Sequence, residues 1–236
     1  MTLVITTAYA DRIEFLTDRA TVDENGVVLD LSSKVRVHSS GMAVAYRGRV
    51  GISDAINAAL EEAVERHGFD AGLALLGDLL AEQRHVLADG GIDFDILIAG
   101  TSELHGFGLW VLPSHNGISG MPAFQATKAP VGFCLTLGGV VDMAALALAG
   151  IFRPMLEASL ARGAFLAEFG TDIAEPMRKA SPTRSIGGGL DLTTVFPSGA
   201  VTIPLRRWSE DVVGQKINPD APLPNRKARR AMRGAA

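Results

Sequence analysis

Few residues of this 236-residue chain have the types and spacing to do chemistry. His38, His67, His85, His105 and His115 are spread without any metal-ligand spacing, and Cys134, the single cysteine, rules out an internal disulfide and a paired-cysteine metal site. No metal is expected. Asp93 and Asp95 flank Phe94 in a strand-like run, where they do not face each other across a substrate as a glycosidase pair must. Gly187-Gly188-Gly189 leads into a strand-like run and lacks the helix and lysine of a phosphate loop, so it reads as a turn. What remains is a set within the first fifty residues: the hydroxyl of Thr2, the carboxylate of Asp18, the ammonium of Lys34, and Gly48. Each also has a plain structural reading. Asp18 and Lys34 could be an ion pair between neighbouring strands, and Gly48 could serve a tight turn from strand to helix.

The elements that must position these residues can be read from periodicity. Val4, Thr6 and Ala8 alternate with Ile5, Thr7 and Tyr9, and Ile13 and Phe15 follow a turn at Ala10-Asp11-Arg12, which predicts two paired strands. Ser33–Val37 and Met42–Tyr46 form a second pair around the turn residues His38-Ser39-Ser40-Gly41. After Gly48, the apolar positions Ile52, Ile56, Leu60 and Val64 predict a helix capped by Ser53 and ending at His67-Gly68. A second helix is expected from Asp70 to Leu87, stopped by Asp89-Gly90-Gly91. Strands return at Phe94–Ala99 and Gly106–Leu112. Helical segments follow at Val140–Ala161 and Ala164–Lys179, with interruptions at Pro154 and Pro176. A hairpin then closes around Pro197-Ser198-Gly199, joining Leu190–Phe196 to Ala200–Leu205.

This order, sheet, two helices, sheet, two helices, sheet, disfavours a doubly wound fold and predicts layered α+β packing with helix pairs on the outer faces of stacked sheets. One domain is expected over residues 1–208, followed by an extended tail over 209–236 with a basic C-terminus. The apolar-rich stretch from Val131 to Phe152 is broken by glycines and Asp142, so it reads as a buried loop and helix, not a membrane span. The first charge is acidic, at Asp11, and no secretion signal is read; with one cysteine, a reducing, cytoplasmic setting is expected. Arg226, Lys227, Arg229, Arg230 and Arg233 put five positive charges on the tail, and removing them from the formal −4 leaves −9 on the body. Specific nucleic-acid binding is therefore not expected of the body, whereas the tail could be simply solvated or could meet an acidic partner.

The first fifty residues resemble the proteasome β-subunit family and its bacterial relatives among the N-terminal nucleophile (Ntn) hydrolases. Thr2 stands where mature chains of that family begin, Asp11 lies in the first turn, and Leu16-Thr17-Asp18-Arg19-Ala20-Thr21 is similar to the family's acidic segment, one residue shorter between Asp18 and Arg19. Ser33-Lys34-Val35 resembles the lysine segment, and Gly48 precedes the first helix as the family's glycine does. The resemblance extends in outline to about Leu205 and implies a four-layer αββα sandwich. It thins downstream. Ser185-Ile186-Gly187-Gly188-Gly189 is similar to a Ser/Gly-rich loop, but Pro182-Thr183-Arg184-Ser185 has no matching aspartate, and Leu135-Thr136-Leu137-Gly138-Gly139 lacks the supporting serine. Ser185 is the nearest substitute.

The resemblance implies a threonine-type amide or peptide hydrolase. Once Met1 is removed, as the small Thr2 side chain favours, the α-amine would be the base and the Thr2 hydroxyl the nucleophile. Lys34 would favour the neutral amine, Asp18 would hold Lys34, and the Gly48 N–H would meet the oxyanion. No cofactor is implied. The partners implied are a peptide or small-amide substrate and further copies in a homo-oligomer, since relatives form rings. The alternative is a catalytically inactive scaffold or assembly protein that keeps the fold. Its ending, Asn225-Arg226-Lys227-Ala228-Arg229-Arg230, is similar to basic tails of phage-encoded assembly proteins.

Overall fold

The computed structural model describes residues 3–181 and 183–220. In chain order its first half comprises β1 (Val4–Ala8), β2 (Ile13–Asp18), β3 (Ala20–Val22), β4 (Val28–Leu31), β5 (Val35–Val37), β6 (Ala43–Arg47), α1 (Val50–His67), α2 (Phe69–Glu82) and α3 (Arg84–Asp89). There follow β7 (Asp95–Ser102), β8 (Gly106–Pro113), β9 (Thr127–Lys128), β10 (Cys134–Leu137), α4 (Met143–Leu148), α5 (Arg153–Arg162), α6 (Phe165–Ala180), β11 (Leu190–Phe196) and β12 (Gly199–Arg206). One five-stranded sheet runs β10-β1-β2-β11-β12, a second runs β5-β6-β7-β8-β9, and β3-β4 form a separate ribbon. Every pairing is antiparallel. The chain is thus a mixed α+β protein, as its periodicities predict.

Period-two alternation sends the side chains of the central strands to two different cores. Val4, Ile13, Phe15 and Val195 of the first sheet join Ala43, Ala45, Leu97 and Val111 of the second in one cluster. From the opposite face of the first sheet, Ile5, Leu16 and Leu192 pack with Leu166, Ile173 and Met177 of α6. The opposite face of the second sheet, with Val44, Ile96, Ile98 and Trp110, packs with Ile56 and Leu60 of α1 and Leu73 and Leu76 of α2. Central strands such as β1 and β2 are therefore buried along their whole length.

Several local expectations change. Ser53 does not cap α1: the helix starts at Val50 behind Arg49, and the Ser53 hydroxyl donates to the Val50 carbonyl inside the first turn. The helix expected to reach Leu87 breaks at Gln83 into α2 and α3. Pro154 does not interrupt a helix but begins one, in the first turn of α5, where its missing N–H costs nothing. Pro176 lies inside α6, which continues through it. The stretch from Val131 to Phe152 is only partly buried: Leu137, Leu146 and Ile151 join the cores, whereas Val131 is 70% exposed, Val140 88% and Leu148 92%. Short strands β3, β4, β9 and β10 escape a periodicity reading because two to four residues cannot display a period. Beyond residue 208, Asp211 and Ile217 are buried, and Val27 bridges to Lys216, so this part of the expected tail packs on the body. Among the described residues no helix is long and apolar enough to cross a membrane. The basic cluster from Arg226 to Arg233 lies outside the described residues.

Helix α2 approaches α1 closely at Gly72, where an added Cβ would stand 2.8 Å from the Val64 nitrogen and 2.9 Å from its Cα. Backbone cannot swing aside. Gly72→Ala is expected to cost about 1–3 kcal/mol through overpacking, lowering Tm by about 2–4 °C per kcal/mol for a chain of this size. A thermal melt with unchanged Tm would mean that α1 and α2 do not meet so closely.

Candidate active site

Asp18 ends β2 with its carboxylate fully buried. Its Oδ1 accepts the Leu3 N–H at 2.9 Å and the Lys34 ammonium at 2.7 Å, and its Oδ2 accepts the Gly187 N–H at 3.1 Å. Leu3 returns the contact through its carbonyl, which accepts the Asp18 N–H at 3.4 Å. One side chain therefore joins the start of β1, the residue before β5 and the loop before β11. Burial raises the Asp18 pKa above the ordinary carboxylate range, opposed first by Lys34 and then by the two backbone donors. Burial likewise lowers Lys34, whose charge Asp18 supports. The pair is held by three donors on one carboxylate, which is how a buried charge becomes tolerable.

Lys34 also lines a cleft of about 270 Å³ together with Thr21, Tyr46, Gly48, Asp54 and Asn57. Gly48 turns the chain from β6 into α1 with φ of +156°, and a Cβ there would meet the Tyr46 ring at 2.5 Å, so only glycine fits. Its neighbour Arg47 is anchored by Asp95 at 2.5 Å and Asp93 at 3.1 Å. The two carboxylates set aside as a glycosidase pair thus serve to hold the strand end that leads into Gly48. His115 stands beside them, with its Nε2 3.1 Å from Asp95.

Asp18 and Lys34 are in direct contact, and Gly48 shares a cleft with Lys34. Ser185 lies in the loop before β11, two residues ahead of Gly187. It is buried, and its hydroxyl pairs with that of Thr183 at 2.9 Å while its N–H reaches the Ser181 hydroxyl at 3.5 Å. Among the described residues these are its partners, and neither Asp18 nor Lys34 is one of them. Thr2 lies outside the described residues; the residue that follows it, Leu3, is the one tied to Asp18. No family model matches the sequence, and no curated protein matches it either. The proteasome-like resemblance accordingly rests on the residues quoted above.

Three residues near the site were not singled out by the sequence. Arg19 bridges Asp191 at 2.6 Å and the Leu31 carbonyl at 2.8 Å, fastening the corner after Asp18 to β11 and β4. Arg178 and Asp211 form a buried pair behind the Gly187 loop. Arg178 carried a usable signal: it falls four residues after Ala174 on the apolar stripe of α6, where a guanidinium requires a buried partner. Asp211 carried none, because it sits in a segment without periodicity.

Removing Lys34 leaves Asp18 buried with two N–H donors and no cation. Its pKa, already raised by burial, rises further, so the folded state binds a proton more tightly than the unfolded chain. Stability is then lost as pH climbs from the unfolded carboxylate value of about 4 through the raised folded value. Lys34→Met is expected to be about 3–5 kcal/mol less stable than the parent at about pH 8, and closer to it at about pH 5, by urea unfolding. Equal losses at both pH values would show that the charge of Asp18 does not depend on Lys34.

Proposed function

We propose that this chain is a threonine-type Ntn hydrolase that cleaves a peptide or small amide, built as a four-layer αββα sandwich of the proteasome-like kind. The layer reading is supported by the three clusters: one between the two sheets, one between the first sheet and α4–α6, and one between the second sheet and α1–α2. The observation that carries the functional reading is the buried Asp18–Lys34 pair. It holds the Leu3 N–H, one peptide bond from Thr2, while Lys34 faces a cleft shared with Gly48. A buried ion pair serving stability alone has no need of a lysine facing a cleft, since an apolar pair of similar volume would do as well.

In this mechanism the free α-amine of Thr2 takes the proton of its own hydroxyl as the oxygen attacks the amide carbonyl. The Gly48 N–H stabilises the oxyanion, and the proton passes to the departing amine as the C–N bond breaks. Water, deprotonated by the same amine, then cleaves the Thr2 ester and restores the hydroxyl. Lys34 acts through charge: an ammonium nearby disfavours a second positive charge on the amine and favours the developing alkoxide. A single cysteine and the absence of any motif for a cofactor support a cofactor-free enzyme of the cytoplasm.

A second reading, an inactive assembly protein, draws on a different observation. Val140, Leu148 and Phe152 expose apolar surface along one segment, and Ser185 is engaged by Thr183. Contacts between copies in a homo-oligomer would cover such residues in either reading.

The deciding experiment is mass spectrometry after exposure to a threonine-directed epoxyketone, on protein whose N-terminus has been verified. One adduct per chain on Thr2 is expected, absent in Thr2→Ala, and slowed at least ~10²-fold in Lys34→Ala. A retained Met1 with no adduct would overturn the hydrolase reading and leave the assembly protein.

A further inference from the structure

A second buried ion pair stands behind the first. Arg178, 1% exposed, lies near the end of α6, and its guanidinium grips Asp211 with both terminal nitrogens: Nη1 to Oδ2 at 2.6 Å and Nη2 to Oδ1 at 2.8 Å. Nη1 also donates to the Ile186 carbonyl at 2.8 Å, Nη2 reaches Glu210 at 3.4 Å, and the group stacks 4.5 Å from the Trp208 ring. Asp211 Oδ2 in turn accepts the Gly188 N–H at 2.6 Å. Between Ile186 and Gly188 sits Gly187, whose N–H points the other way, to Asp18. The Gly187 carbonyl accepts from Arg19 and Ala20 at 3.0 and 2.9 Å. A Cβ on Gly187 would meet Ile217 at 2.5 Å and Asp211 at 2.7 Å, so the loop has no slack on that side.

We infer that Asp211, held by Arg178, is a positioning residue for the Asp18–Lys34 pair, fixing Gly188 so that the Gly187 N–H is aimed at the Asp18 carboxylate. The loop carries no aspartate of its own between residues 182 and 189, and the carboxylate that braces it arrives from 22 residues beyond Gly189 in the chain. Asp211 acts through geometry, because its charge is matched by Arg178. Its oxygens are saturated by a bidentate guanidinium and an N–H, an arrangement an amide cannot reproduce: one edge of asparagine would set NH₂ against a donor. The relevance to catalysis rests on the hydrolase reading above, whereas the mechanical link from Asp211 to Asp18 does not.

The test uses the full chain with Asp211→Asn and Asp211→Glu. Amide hydrogen exchange separates a local effect from global destabilisation: Gly187 is expected to exchange about 10-fold faster or more in Asp211→Asn while the amides of β7 and β8 keep their protection. In ¹³C-lysine-labelled protein, the Lys34 Cε titration is expected to move to higher pH, since an Asp18 carboxylate that has lost the Gly187 N–H is a stronger acceptor for the ammonium. Asp211→Glu, which keeps both acceptor oxygens, is expected to restore part of both signals. Should Asp211→Asn fail to fold, Arg178→Lys, which keeps the charge but loses the fork, is measured in the same way with the same expectation. Loss of Gly187 protection only in step with β7 and β8, or an unmoved Lys34 titration, would overturn the inference. If the parent gives no epoxyketone adduct but the two signals still move, the positioning role stands and the hydrolase reading alone falls.

Discussion

The carboxylate of Asp18 is the constraint on which the surrounding structure turns. A charge taken out of water is costly unless its lone pairs are filled, and here the donors come from Leu3, Lys34 and Gly187, three segments far apart in the chain. Each donor is thereby fixed to the end of β2. The start of β1 cannot slip relative to β2, Lys34 cannot turn away, and the loop before β11 cannot lift without uncovering a buried anion. The same requirement propagates outward: the Gly187 loop that serves Asp18 is itself fastened by Arg178 and Asp211. Two buried ion pairs, Asp18–Lys34 and Arg178–Asp211, are thus linked through the Gly187 loop.

Stiffness at this point suits a site whose chemistry would depend on electrostatic preorganisation. The cleft walls are built by three different devices. Lys34 is set by a buried anion, Gly48 by a backbone conformation that the Tyr46 ring reserves for glycine, and the strand end before Gly48 by Arg47 between Asp93 and Asp95. None of these relies on a long surface loop. The segment around α4 is different in character, with Val140, Leu148 and Phe152 exposed in a stretch whose composition reads as core. Hydrophobicity alone could not separate an internal core from an exposed apolar surface.

How far the site was legible depended on range. Asp18, Lys34 and Gly48 were recognisable because each is flanked by a short local pattern, and the expected contact between Asp18 and Lys34 is present at 2.7 Å. Arg178 was half legible, a charge at an apolar position of α6. Asp211, Arg19 as a bridge to Asp191, and the Gly187 N–H were not legible, because a backbone donor has no residue type and a long-range partner leaves no local period. Ser185 was recognisable by type, and the partner of its hydroxyl, Thr183, was not.

The sequence by itself determined the alternation of sheet and helix, the pairing of the first two strands, and the identity of the groups able to carry charge near the N-terminus, since all of these follow from local periodicity and side-chain chemistry. Only the tertiary structure decided which backbone N–H groups complete the shell of Asp18, which distant carboxylate braces Gly188, and which apolar residues of the Val131–Phe152 segment face outward. Those outcomes depend on which surfaces meet when sheets and helices pack, and packing sums contacts over residues that the chain keeps more than a hundred positions apart.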